Sequence, residues 1–259
     1  MRAPAPARDD VAQAACVVLE RLRAKAPRVH CITNAVAQNF TANVLLALGC
    51  VPSMTLSVEE IGDFVARANA LLVNLGTFDA ERRQATELAV EAAAQSKVPW
   101  VLDPVFVDRA PSRAEFAREL GARGPSVVRL NHAEFGTLSG AAASRDTVIA
   151  FAGRNKLVVA LSGEADLVSD GERTVTVANG HPLMAKVTAM GCAASAITAA
   201  CLAVEPDAFR AAAAGLLIIG VAGEMAADTA KGPGSFAVAI IDALYTLDAA
   251  TLAARARVS

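Results

Sequence analysis

Ala70-Leu71-Leu72-Val73-Asn74-Leu75-Gly76-Thr77 is an apolar run that ends in polar and glycine residues. Its first four residues offer no solvent face, so it reads as a strand buried on both sides. Asp79 to Lys97 follows, with good helix formers throughout. Trp100-Val101-Leu102-Asp103-Pro104 is then a second apolar strand with a carboxylate at its C-terminal end. Two fully apolar strands joined by a long helix make a βαβ unit of a parallel sheet.

The alternation continues in both directions. Upstream, Val11 to Lys25 has helical spacing and stops at Pro27. Val29-His30-Cys31-Ile32-Thr33 is a short strand, Gln38 to Leu48 a helix closed by Gly49, and Pro52 to Thr55 a brief strand. Ser57 and Glu60 form a capping-box pattern ahead of the next helix. Downstream, Arg113 to Leu120 is helical, and Val127 to Asn131 is a strand. His132 to Leu138 is a helix with Glu134 in its first turn. Leu157 to Leu161 is a strand ending at Ser162-Gly163. The connection 139–156 carries no assigned element. Asp166 to Ala178 reads as a hairpin turning at Asp170-Gly171. The remainder, 192–204, 207–229 and 233–247, is helical. The expected architecture is α/β with three layers: a mostly parallel central sheet, helices on both faces and an edge hairpin. Residues 1–10 alternate Ala and Pro and read as a flexible tail, with 11–259 as a single domain.

Ligands of such sheets bind outside the carboxyl ends of the strands. Asn34, Asn74, Gly76, Thr77, Asp103, Asn131, Glu134 and Ser162 all fall there. This placement is the main physical argument for a small-molecule site. Aromatic residues make up only 4% of the chain, and the formal net charge is −2. Neither favours a nucleic-acid surface or a polybasic membrane face. Five cysteines without a C-x-x-C pair, and three histidines, speak against structural zinc and fit a reducing cytoplasm. Val187 to Val204 is uncharged and reaches the lower length limit of a membrane span. It is nevertheless rich in Ala and includes Thr188, Gly191, Ser195 and Thr198, as a core helix would.

Lys186-Val187-Thr188-Ala189-Met190-Gly191-Cys192-Ala193-Ala194-Ser195-Ala196 runs from a polar turn into that helix. The first turn of a helix offers unpaired N–H groups to an anion. Cys192 sits where a thiol pKa tends to fall; it reads equally as an inert small core residue. Asp103 and Glu134, at one mouth, suit Mg²⁺ held largely through water. Their commoner uses are a turn cap before Pro104 and support of a helix dipole. Arg129 suits a polyphosphate or a pairing with Glu134. Met54 is a pocket wall or simple core. No P-loop and no strand-linked G-x-G-x-x-G is present.

Several stretches together carry a resemblance. They are 29–34, 38–49, Asn74 to Thr77, Leu102 to Val105, Arg129 with Asn131, Ala133 and Glu134, Ser162 to Glu164, His181 to Met184, and Gly232-Pro233-Gly234-Ser235-Phe236. In this order, across nearly the whole chain, they resemble the hydroxyethylthiazole kinases of the ribokinase-like superfamily. The resemblance implies phosphoryl transfer from ATP, with Mg²⁺, to the alcohol of 4-methyl-5-(2-hydroxyethyl)thiazole in thiamine salvage. It also implies a cytoplasmic homotrimer with sites at subunit interfaces. By position, Arg129, Ser162 and Asn131 fall at the ATP, and Asp103 and Glu134 at the Mg²⁺–phosphate end. Met54 and Ala189 fall at the thiazole, and Cys192 with Gly191 beside the reacting hydroxyl. The chain departs from the family in several places: Ser162 replaces the usual Thr, and the short segment 139–156 lacks the family's Gly-x-Asp-Ser/Thr element. Ala189-Met190 replaces Gly-Thr, Phe106 and Asp108 replace small residues, and Leu130 replaces Gly. These departures leave two competing readings, a same-fold kinase for another small alcohol and a non-catalytic binder; a third, a dehydratase of hydrated nicotinamide nucleotides, shares the fold and is disfavoured by the match over 29–49.

Overall fold

The computed structural model describes residues 8–259. Among them eight strands form one sheet: β1 (Arg28–Ile32), β2 (Val51–Ser53), β3 (Ala70–Asn74), β4 (Trp100–Asp103), β5 (Val127–Asn131), β6 (Val158–Ser162), β7 (Asp166–Ser169) and β8 (Thr174–Val177). Their order is β2-β1-β3-β4-β5-β6-β7-β8. The first six are parallel, and β7 and β8 are antiparallel additions at one edge. The order reverses between β1 and β3, which makes their carboxyl ends the switch point where such sheets bind ligands.

Successive residues of each buried strand feed opposite cores. Ala70 and Leu72 of β3 face one core, while Leu71 and Val73 face the other. The second core is closed by α3 (Ile61–Ala66), α4 (Ala80–Ser96), α5 (Pro111–Gly121), α6 (His132–Ser139) and α7 (Arg145–Asn155). The first is closed by α1 (Arg8–Lys25), α2 (Gln38–Ala47), α8 (Met190–Leu202), α9 (Ala208–Ala227), α10 (Pro233–Thr246) and α11 (Ala249–Arg255). By length and composition α9 is apolar enough to cross a membrane. It packs instead among α1, α8 and α10, with 78% of its most apolar window buried. Glycine permits its close crossing with α8: a Cβ on Gly215 would stand 3.0 Å from Thr198 Cα.

The structure departs from the sequence reading at several points. α1 begins at Arg8, inside the stretch read as a tail, and residues 1–7 lie outside the described residues. Ser57 and Glu60 do not form a capping box. Glu60 is itself the N-cap of α3 without a side-chain cap bond, because its carboxylate is taken by the Thr55 hydroxyl. The connection 139–156 contains α7, capped by a reciprocal Ser144–Thr147 pair. A 3-10 turn, Pro182–Lys186, precedes α8, and α8 starts at Met190 rather than Cys192.

Candidate active site

A cleft of about 480 Å³ opens at the carboxyl ends of the strands. Sheet register assembles its floor: Asn74 stands beside Asp103, and Asn131 beside Ser162. Asp103, Arg129, Asn131, Glu134, Ser162, Ala189, Gly191 and Cys192 all line this cleft. Met54 does not. It lines a separate depression with Leu56, Val58 and Gln84.

Asp103 is 3% exposed. Its Oδ2 accepts from Asn74 Nδ2 at 2.8 Å and from Ser195 Oγ at 2.7 Å. The carboxylate therefore does not cap the turn before Pro104. Burial holds its pKa above the usual carboxylate range, opposed by the Arg129 charge and these two donors. Glu134 is raised chiefly by burial, opposed by the Asn131 N–H, with the Asp103 charge adding to the rise. Its Oε2 accepts from Asn131 N at 2.9 Å and its Oε1 from Phe106 N at 3.0 Å. Asn131 completes the capping box of α6 by accepting from Ala133 N and Glu134 N. Glu134 thus serves its helix end and faces the cleft as well. Both oxygens bond to backbone, so a pairing with Arg129 is not formed at either. Arg129 instead keeps a buried Nε–H without a partner and acts through space on Asp103, Glu134, Asp166 and Cys192.

The first turn of α8 faces the same space. Its first intrahelical bond runs from Ala193 N–H to Ala189 O at 2.9 Å, so the N–H groups of Met190, Gly191 and Cys192 precede it. Cys192 Sγ accepts from the amides of Asn34 and Asn74, each at 3.3 Å. The expected fall in its pKa is reversed. Burial pushes the thiol up to about 11, the Asp103 charge adds to this, and the two amides and Arg129 only partly oppose it. Cys192 is a neutral thiol at neutral pH. Asp108, one of the departures from the family's small residues, pairs with Arg109 at 3.7 Å and is absent from the cleft wall.

The backbone is strained where it meets the cleft. Six described non-glycine residues have positive φ. Ala26, Lys97 and Lys156 follow helix ends, an ordinary place for that conformation. Thr77 (φ +49°), Phe106 (φ +59°) and Ala189 (φ +68°) all line the cleft. Such outliers gather at functional sites. Gly76 has a steric role there, since a Cβ would lie 2.7 Å from Asn34 Nδ2.

A second cavity of about 580 Å³ shares Arg129, Ser162 and Gly191 with the cleft. It is walled further by Met184, Leu216 and Ile219. Sequence reading gave no role to Ser195, Arg113 or Asp166, and none to Asn34 and Asn74 beyond their position. Ser195 had one signal, a hydroxyl three residues after Cys192 in an Ala-rich helix whose other hydroxyl is Thr198. Arg113 reaches the cleft from α5 and donates from Nη1 to Val105 O at 2.9 Å.

A family model described as the hydroxyethylthiazole kinase family matches residues 19–250. A relative from Agrobacterium fabrum, named probable hydroxyethylthiazole kinase, is 46% identical over 244 residues, covering 94% of each chain. The solved structure of a hydroxyethylthiazole kinase protein from Pyrococcus horikoshii superposes with a TM-score of 0.91 at 36% identity. That superposition covers 95% of this chain and 98% of the other. A ribokinase-like superfamily protein from Enterococcus faecalis shares the fold, with a TM-score of 0.68 at 14% identity, covering 86% of this chain. Matched along nearly its whole length in sequence and in backbone, the chain belongs to the hydroxyethylthiazole kinase family.

Proposed function

We propose that this protein transfers the γ-phosphoryl group of ATP to the primary alcohol of 4-methyl-5-(2-hydroxyethyl)thiazole. The observation that carries the reading is the cleft itself: the first turn of α8 and Arg129 converge on the space in front of Asp103 and Glu134. Phosphoryl transfer needs positioning and charge stabilisation more than a strong base. The α8 N–H groups and Arg129 stabilise charge on the equatorial oxygens. The alcohol oxygen forms the new bond to the γ-phosphorus as the bond from that phosphorus to the β–γ bridging oxygen breaks, ADP leaves, and the hydroxyl proton passes to an oxygen of the transferred phosphoryl group. Cys192, a thiol, orients the hydroxyl rather than deprotonating it. The second cavity, with its apolar wall, receives the nucleoside.

Among the described residues no three His, Cys, Asp or Glu side chains are grouped to hold a metal ion. Two buried carboxylates on the wall of one cleft fit the other mode, in which phosphates and waters complete the shell. Asp103 and Glu134 would hold Mg²⁺, which supplies charge neutralisation to the polyphosphate. Met54 lies outside the cleft of its own chain, and this supports a homotrimer in which a neighbouring subunit supplies that residue. We place the enzyme in the cytoplasm.

Of the competing readings, a non-catalytic binder is weakened by Ala189, which adopts the left-handed turn despite lacking glycine's freedom. The 46% identity to a named thiazole kinase argues against both the dehydratase and a kinase for another alcohol. The test is ADP release with ATP, Mg²⁺ and the thiazole alcohol, with Asp103→Ala and Cys192→Ala alongside. Thiazole-dependent turnover, largely lost in Asp103→Ala, is expected. Thermal stabilisation by the thiazole without turnover would replace this reading with a binder or another alcohol's kinase. Light scattering in solution tests the trimer.

A further inference from the structure

Phe106 is the bulkiest of the left-handed residues around the cleft, and a left-handed backbone is a genuine outlier for such a side chain. It is held there firmly. Its N–H donates to Glu134 Oε1 at 3.0 Å, Val107 N–H donates to Pro104 O at 3.2 Å, and Arg113 anchors the Val105 carbonyl. Glycine would satisfy all of these backbone bonds without strain, so they do not account for a phenylalanine. The side chain must supply the reason. The residue is 51% exposed and lines the cleft, and its ring carries the Arg109 guanidinium 5.2 Å from its centroid. Among the described lining residues the only other exposed large apolar side chain is Val36. Val105 lines the same cleft but is half-buried, so within this chain an acceptor with an apolar ring finds its most open matching surface at Phe106 and Val36.

We propose that Phe106 is a specificity-determining wall of the acceptor subsite. The flat heteroaromatic ring of the alcohol stacks on Phe106 against Val36, with its hydroxyl arm directed toward Cys192 and Asp103. This rests on the kinase reading above and extends it to the acceptor class: primary alcohols borne on small aromatic rings. It also gives a use to one of the chain's departures from the small residues of its family.

Steady-state kinetics of Phe106→Gly, Phe106→Leu and Phe106→Tyr test the proposal, with calorimetric binding of 5-ethyl-4-methylthiazole, a ring analogue without the hydroxyl. Phe106→Gly should raise the acceptor KM about tenfold. The KM for ATP should stay within about twofold, and the melting temperature should rise as strain is relieved. Phe106→Tyr should restore acceptor KM and analogue affinity, with Leu between. An unchanged acceptor KM in Phe106→Gly, an equal rise in the KM for ATP, or a Tyr variant no better than Gly would each overturn it. Absence of thiazole-dependent turnover in the wild type would instead overturn the kinase reading. Analogue binding to wild type and Phe106→Gly would still decide the stacking wall.

Discussion

From Ala193 to Leu202 every residue of α8 is buried, whereas its first turn opens on the cleft beside a half-exposed Cys192. The buried part is made of small side chains that let α9 approach, and its polar groups are paired: Thr198 Oγ1 donates to Ala194 O at 2.9 Å. The cleft end is built otherwise. Three left-handed residues ring it, two carboxylates are held above their ordinary pKa, and Arg113 and Arg129 each keep a buried Nε–H unpaired. Each of these features costs stability where it stands. One helix thus joins a region that stabilises the fold to a region that spends stability on a prepared anion site. Substitutions at the two ends should therefore separate stability from turnover.

The largest separation is expected at Asp103→Asn. The folded protein holds the Asp103 proton more tightly than the unfolded chain, because its pKa is raised by burial. Stability is therefore lost as pH rises from the ordinary carboxylate range through the raised value. Asparagine keeps an oxygen for Asn74 and Ser195 without the charge. At pH 8 the variant should melt higher than wild type, while kcat/KM falls by ~10²–10³. Matched thermal melts and ADP-release assays check both. A variant that loses stability as well as activity would break the contrast.

His30 provides the opposite case, a titratable group fully paired within the packed part. Its Nε2 faces the Thr55 carbonyl at 3.2 Å, so Nε2–H must donate; Nδ1 then accepts from the Ser53 hydroxyl at 2.8 Å. Both bonds suit the neutral ring, and burial lowers its pKa to about 4. Below its unfolded value near 6.5 the unfolded chain binds the extra proton and the folded one does not. Stability should fall as pH drops from about 6.5 to about 4, by about 3 kcal/mol in total. His30→Gln should flatten this limb in urea titrations across that range.

The sequence was legible where local pattern decides and silent where tertiary burial does. β3, α4 and β4 were plain because each apolar run is bounded by turn residues. Asp103 and Ser162 end β4 and β6, Arg129 lies within β5, Glu134 sits in the first turn of the helix that follows it, and Ala189 and Cys192 sit at the start of α8; a parallel sheet gathers all of these at its carboxyl edge. Met54 follows the edge strand β2, and no feature of one chain brings it to the cleft. The ionisation of Cys192 stays open in the sequence because position at a helix start is readable and desolvation is not. The Ser57–Glu60 pattern failed because Thr55 competes for the same carboxylate. α7 was missed because its box uses Thr147 in place of an acidic residue.

In the buried part, Gly215→Ala should cost about 2 kcal/mol. Its Cβ would lie 3.0 Å from both Thr198 Cα and Thr198 Oγ1, so α8 and α9 would have to part. Thermal melts read the loss. Turnover per folded molecule should change little, because Gly215 lies on neither cavity wall.

The smallest effect is the sharpest test, because one exchange is made at both ends of α8. Ala189 is the N-cap, with φ +68° and no side-chain cap bond. Its carbonyl is already committed to Ala193 N–H, so its methyl adds only the left-handed strain, worth on the order of 1 kcal/mol. Glycine removes that strain but frees the unfolded chain, which returns part of the gain. Ala189→Gly should still stabilise, by up to about 1 kcal/mol, or a few degrees in Tm at most for a chain of this size. Ala199 lies more than two turns further on, fully buried and helical. There the same exchange deletes a packed methyl and loosens a helical backbone, and should destabilise by at least about 1 kcal/mol. Opposite signs in parallel melts would locate the boundary between the two regions within α8. Equal signs would mean that the turn at 189 is part of the packed core and that its strain is offset by contacts there.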